Sequence, residues 1–457
     1  QALLNNTTGE DNTALGSFSL TSNTTASNNT AVGKDALKLN TTGTRGTAIG
    51  HLSLAANTTG NFNVAVGDSV LDANTSGTSN TAVGQNSLTN NTTASNNVAV
   101  GNNALKLNTT ASNNTAVGTQ ALQATTTGHS NTAIGRDALK ANTANYNVGV
   151  GNQALAANTS GEDNTGVGNS ALATNTTGND NTALGDNALV FNTTGSNNTG
   201  LGSLAGYSNT TGHSNTSVGS EALRLNTTGA SNVAVGALAL DANTTGESIV
   251  AIGKDALGAN TTGVSNVAVG KGALASATVA NNNTAVGTHA LNASTTAVQN
   301  VVVGAFAADA ITTGNDNAVL GTYALGVCTT GSNNIAIGTS SLGANTTGSS
   351  NTAVGAAALD ANTTGSANVA IGNDSLSENT VGAHNTAIGR SALQNNTSSS
   401  NTAIGRGALV SNTTGTQNTS VGHNAGDLIT TGDNNLTLGY NSDPSSATAD
   451  NEVTLGN

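Results

Sequence analysis

The chain has no methionine, no tryptophan, one cysteine and one proline among 457 residues, with aromatics at 2% and charged residues at 8%. Without large side chains, a bulky globular core is excluded; any core is thin and made of Val, Ile, Leu and Ala. A single cysteine excludes a disulfide framework. That cysteine, Cys328, stands where Asn usually stands and reads as a lone buried or half-buried thiol. No apolar run approaches the roughly 18–20 residues of a membrane-spanning helix, and no signal peptide is recognisable. The net charge of −13 comes with no basic stripe, which argues against a nucleic-acid partner.

What the chain does have is glycine, 57 of them, and many keep time. In Asn29–Arg45 the segment N-T-A-V-G-K-D-A-L-K-L-N-T-T-G is one statement of a repeat that fills the sequence. The Gly of N-T-A-V-G recurs as Gly16, Gly33, Gly50 and onward to Gly456, 27 times in all. The step between copies is seventeen positions in all but two intervals, where it is sixteen. A fixed short period over a whole chain is the mark of a solenoid. Disorder of Gly, Ser, Asn and Thr composition has no reason to keep an aliphatic at one place 27 times.

Counting each repeat from its Gly as zero, position −1 is Val, Ile or Leu in all 27 copies, and −3 is β-branched in 25. Position −2 is Ala, Gly or Ser in 23 of 27. This alternation predicts a strand with −3 and −1 facing the core and −2 facing out. Position +4 is Leu in 22 of 26 repeats and +3 is Ala or Ser in 25 of 26. With +6 leaning to Ala and Leu and +5 unrestricted, a second strand is expected, with +4 and +6 inward and +5 in water. Asn at +7 (19 of 26), Thr at +8 (25 of 26) and Asn at −4 (24 of 27) mark the corners. Asn and Gly tolerate left-handed backbone there, and stacked Asn side chains can bond to their copies one rung away. Both shorter repeats lose their residue in the corner, around Asn145 and Ser399, as a turn would.

Leucine-rich repeats, calcium-binding nonapeptide rolls and collagen are excluded by absent L-x-x-L-x-L, scattered Asp, and Gly that does not recur every third residue. The expected fold is all-β: a parallel β-solenoid, or β-roll, of about 27 rungs. It is expected to run continuously over 1–433, with C-terminal rungs and a junction to a further domain over 434–457. The chain opens mid-repeat, as a fragment or processed piece would.

N-T-A-V-G-x-x-A-L resembles the repeat in the head domains of trimeric autotransporter adhesins, the YadA-like heads. That resemblance implies left-handed β-rolls packed side by side as a homotrimer, although the family unit is shorter than the unit found here. Asn434–Asn457, which holds Pro444 and puts Asp443 in place of the +4 Leu, resembles the segment before the self-cleaving intramolecular chaperone domain of phage tail fibres and tail spikes. The resemblances imply a rigid extracellular rod, a fibre or stalk with an attachment role, on a phage virion or a bacterial surface. A passive surface filament is a further alternative.

Little chemistry is expected of the side chains. No nucleophile recurs beside a base, so an enzyme is not expected. The six histidines make no metal site within one chain, and no cofactor is expected. Acidic pairs such as Glu10-Asp11 and Glu162-Asp163 read as solvated corners. The N-T-T triplets match glycosylation acceptors but read as ladder Asn. Adjacent Thr pairs suggest ice-binding solenoids, yet they point to opposite faces. Receptor contact, to a surface partner or glycan, is expected at exposed variable positions +1, +2 and +5: Phe18, His51, Tyr207, Phe306 and Tyr323. Small residues at −2, Ala31 through Ala403, are expected at the surface between chains.

Overall fold

A computed structural model describes residues 1–456. It contains 27 strands of three residues each, from β1 (Thr13–Leu15) to β27 (Val453–Leu455), and no helix among the described residues. The chain divides into two compact units, Gln1–Ala230 and Ser231–Asn457. The first carries β1 to β13 (Thr216–Val218); the second carries β14 (Val233–Val235) to β27. Within each unit every strand pairs in parallel with the next at the same repeat position, as in Thr30↔Thr47 and Val250↔Val267. Each unit is a parallel β-solenoid.

The short repeats keep this register. Thr132 pairs with Val148 and Thr386 with Thr402, so equivalent positions still meet although one residue is missing between them. The corner absorbs the loss: the Ala144 carbonyl takes the hydrogen bonds from Asn131 and Asn142 that a Gly at +10 accepts elsewhere. Ser398 does the same for Asn385 and Asn396.

The strand faces are the reverse of the expectation. Position −2 is inward: Ala31, Ala116 and Ala403 are fully buried, and −3 and −1 are only half-buried or exposed. Alternation defines two faces but not which one is closed over. Here Leu at +4 closes over −2. A Cβ added to Gly149 or Gly200 would lie 3.1 Å or 3.0 Å from Cγ of Leu139 or Leu189. The −2 residue is small because its own chain's Leu lies on it, so the −2 row is not a surface between chains.

Two of the exceptions at +4 show the same pairing. Where +4 shrinks to Ala308, its −2 neighbours grow to Val302 and Val319, all buried. Where +4 is Gly426, the space holds Ser420 and Thr437, whose hydroxyls hydrogen-bond to each other. At Ala308 the two valines restore the lost volume, as close packing demands; at Gly206, between Gly200 and Ser217, no such enlargement occurs.

The segment after Gly is not a second strand. Residues at +2 and +4 have left-handed backbone, as at Asp35 (φ 60°) and Leu37 (φ 48°). These residues break the two-residue alternation, so +3 and +4 both point inward. Position +6 is left half-buried or exposed, as at Leu39 and Leu107. Left-handed angles cost an ordinary residue about 1–2 kcal/mol, but here each one aims an N–H at a neighbouring rung. Leu37 N–H donates to the Ser53 carbonyl at 3.0 Å and Asp35 N–H to the Ser17 carbonyl at 2.9 Å. The recurring Gly sits on a close approach between rungs: Gly101 has φ +135°, and a Cβ there would lie 2.6 Å from the Gly118 carbonyl oxygen.

Two buried Asn ladders line the corner. Asn40 at +7 donates to Asn23 Oδ1 (3.0 Å) and to the Gly43 carbonyl (2.9 Å). Asn29 at −4 donates to the same carbonyl, while its Oδ1 accepts the Gly46 N–H. The +7 amide hydrogens are thus spent inside the fold, at buried residues, so these asparagines are not presented as glycosylation acceptors. Outside them, Thr hydroxyls at +8 donate to the next rung's +8 carbonyl, as from Thr41 to Thr58 (3.0 Å).

Candidate binding face

The outward positions expected to carry contacts fall into separate groups. Phe18 is 47% exposed with Lys38 Nζ 5.5 Å from its ring centroid. His51 Nδ1 lies 2.9 Å from Asp68 Oδ1 one rung on. Tyr207 is half-buried and meets Phe191 edge-on, centroids 4.9 Å apart. These three do not form one site. Phe306 and Tyr323 do come together: both occupy +2, and their rings stack at 5.5 Å and 9°. His289, also at +2, stacks on Phe306 at 5.5 Å and 19°. The residues at +2 in successive rungs stand directly above one another, so the one-repeat spacing of His289, Phe306 and Tyr323 already held this stack.

Beside the stack lies a groove that the sequence reading missed. Gly326 and Gly343, at +5 in consecutive rungs, line it with Asp309, Ala310, Tyr323, Val327, Ser340 and Asp360, and the open groove has a volume of about 570 Å³. Asp309 and Asp360 are themselves +5 residues of the flanking rungs, roughly 14 Å apart at three strand spacings. Burial pushes both carboxyls above the usual Asp range, partly offset by their own backbone N–H groups. The signal was present as the one pair of adjacent rungs with Gly at +5.

The same stretch loses its +7 ladder. Ala277, Ser294, Ile311 and Cys328 replace Asn in four successive rungs. Cys328 is buried, its thiol accepting from Asn345 Nδ2 at 3.7 Å, and burial raises its pKa. Among the described residues no group of three His, Cys, Asp or Glu is placed to hold a metal ion, and no helix is long and apolar enough to cross a membrane.

The other outward feature is the strand face itself. Position −1 is aliphatic in all 27 strands, and many of these side chains are substantially exposed, among them Ile49, Ile134, Leu184 and Ile371. Neither a protein-family model nor a curated protein matches the chain.

Proposed function

We propose that this chain is the shaft of an extracellular fibre with an attachment role, three copies packed side by side through their outward −3/−1 strand faces. The observation that carries the reading is that unbroken aliphatic row at −1, half-exposed on a parallel sheet. Parallel sheets are ordinarily covered on both faces, and apolar surface of this extent marks an interaction site. Taking partial exposure of two side chains per rung, each unit offers on the order of 1,000 Å², against roughly 800 Å² per partner in a stable interface. A second copy of the chain repeats at the same rung spacing, so it can meet the row along its length. Three copies are what the resemblance to YadA-like heads implies; a phage tail fibre is the preferred setting and a bacterial surface adhesin the alternative.

Native mass measurement of the intact chain tests this. A homotrimer is expected, and Val117→Lys with Val150→Lys should loosen it while far-ultraviolet dichroism stays unchanged. A monomeric wild-type chain overturns the reading.

Ice binding is the second reading, because the outward face is Thr-x-Val, Thr-x-Ile or Thr-x-Leu in ten of the first unit's 13 strands. Thermal hysteresis from a monomeric chain would favour it.

A further inference from the structure

The +5 row runs along the segment between the two inward positions +4 and +7, and it usually carries bulk: Lys38, Gln123, Lys140, Arg224, Asn292, Gln394. At Gly326 and Gly343 that bulk is missing from two rungs in succession, leaving a bare strip roughly 10 Å long between flanking carboxylates. Tyr323 stands at its edge, 55% exposed. One face of its ring is covered by Phe306. The next +2 residue is Ser340, too small to cover the other face, so the aromatic column ends on an open ring beside the groove.

We propose that this groove binds a neutral oligosaccharide, seating about two pyranose rings. The open Tyr323 face suits the apolar C–H face of a pyranose. Asp309 and Asp360 at the two ends are acceptors, matched to vicinal sugar hydroxyls, and Ser340 adds a hydroxyl that donates or accepts. No Lys or Arg lines the groove, and two carboxylates repel anionic ligands. The volume falls in the ordinary range for small-molecule sites, about 300–1,000 Å³. At roughly 14 Å the two carboxylates are too far apart to share one ion. The inference gives the proposed attachment role a ligand class; its test reads binding in solution, so its failure is distinct from failure of the trimer.

The test uses the full chain in its native assembly, with maltose, cellobiose, lactose and N,N′-diacetylchitobiose as probes and putrescine as a cationic comparison. Saturation-transfer NMR and calorimetry should find at least one disaccharide binding with Kd of about 1 mM or tighter. Gly343→Gln fills the groove with a side chain the +5 position already holds at Gln123 and Gln394, and should weaken binding at least about tenfold with Tm unchanged. Tyr323→Ser should do the same, and Phe18→Ser should leave binding as it is. Absence of binding by all four sugars, binding indifferent to Gly343→Gln, or binding of putrescine alone overturns the proposal.

Discussion

The first unit keeps its rules almost without exception; the stretch from Gly270 to Asp360 in the second unit breaks several at once. In the first unit +4 is Leu in every rung but that of Gly206, and +7 is Asn in every rung but that of Thr125. Seven Lys and Arg stand there against eleven Asp and Glu, and three +5 cations pair with a +2 carboxylate, as Lys38 does with Asp35 at 3.1 Å. The second unit has four cations against thirteen acids. Its irregular stretch swaps Leu for Ala308, Ala for Val302 and Val319, ladder Asn for Ala, Ser, Ile and Cys, and +5 bulk for glycine. The changes at Ala308, Val302 and Val319 compensate one another inside the core, and the glycines at +5 open the outer surface. Close packing accounts for the first, and the proposed saccharide site would account for the second.

The sharpest way to break this comparison is to place charge at −2. Ala116→Asp buries an unpaired carboxylate under Leu and should cost several kcal/mol, whereas Val117→Asp on the outer face should cost about 1 kcal/mol or less in the dissociated chain. Urea unfolding of the two variants decides it; equal losses would return −1 to the core.

Next in size is the ladder. Asn91→Ile removes the donor to Asn74 Oδ1 and the Ala94 carbonyl and strands buried acceptors, for about 1–3 kcal/mol. Ile311→Ala in the ladder-free stretch leaves only a cavity.

Compensation itself is tested by Ala308→Leu. Alone it overpacks the space between Val302 and Val319, costing about 1–3 kcal/mol. Combined with Val302→Ala and Val319→Ala it rebuilds a regular rung and should recover most of that loss. Additive losses would show that the three sites do not share one space.

Acid sharpens the contrast between units. Desolvation raises Asp309, Asp360 and Asp427 in the second unit, but only Asp72 in the first. A carboxyl whose folded pKa lies above its unfolded value favours the fold when protonated. That stability is present below the unfolded pKa and is lost as pH rises through the folded one. Thermal unfolding from about pH 4 to pH 7 should show it, and Asp360→Asn should flatten the curve. The smallest effect expected is Lys38→Ala, within about 0.5 kcal/mol, because the Lys38 end of its pair with Asp35 is open to solvent.

Much of the architecture was legible in the sequence. The regular period located every strand, the two shortened repeats located the corner that tolerates deletion, and Asn at +7 and −4 announced ladders that the fold contains. The direction of the strand was not legible from alternation, because a period of two has no sign. The clue that carries the sign is inside the chain: −2 enlarges at Val302 and Val319 where +4 shrinks at Ala308, and only residues in one core trade volume. The second strand failed because hydrophobic spacing over +4 and +6 does not reveal that Leu at +4 has left-handed backbone. Of the candidate contacts, Tyr323 is exposed as expected and Phe306, stacked between His289 and Tyr323, is half-buried; the groove beside them is not legible, since glycine at +5 is a missing side chain.

By itself the sequence determined a parallel β-solenoid, because only stacking at one fixed register makes so constant a period useful. It also determined which residues share a row, since equal position in the repeat is equal position around the coil. Only the tertiary structure decided which rows face inward. That choice depends on the left-handed turns at +2 and +4, which swing Leu over the −2 alanine and leave the larger aliphatics of −1 outside.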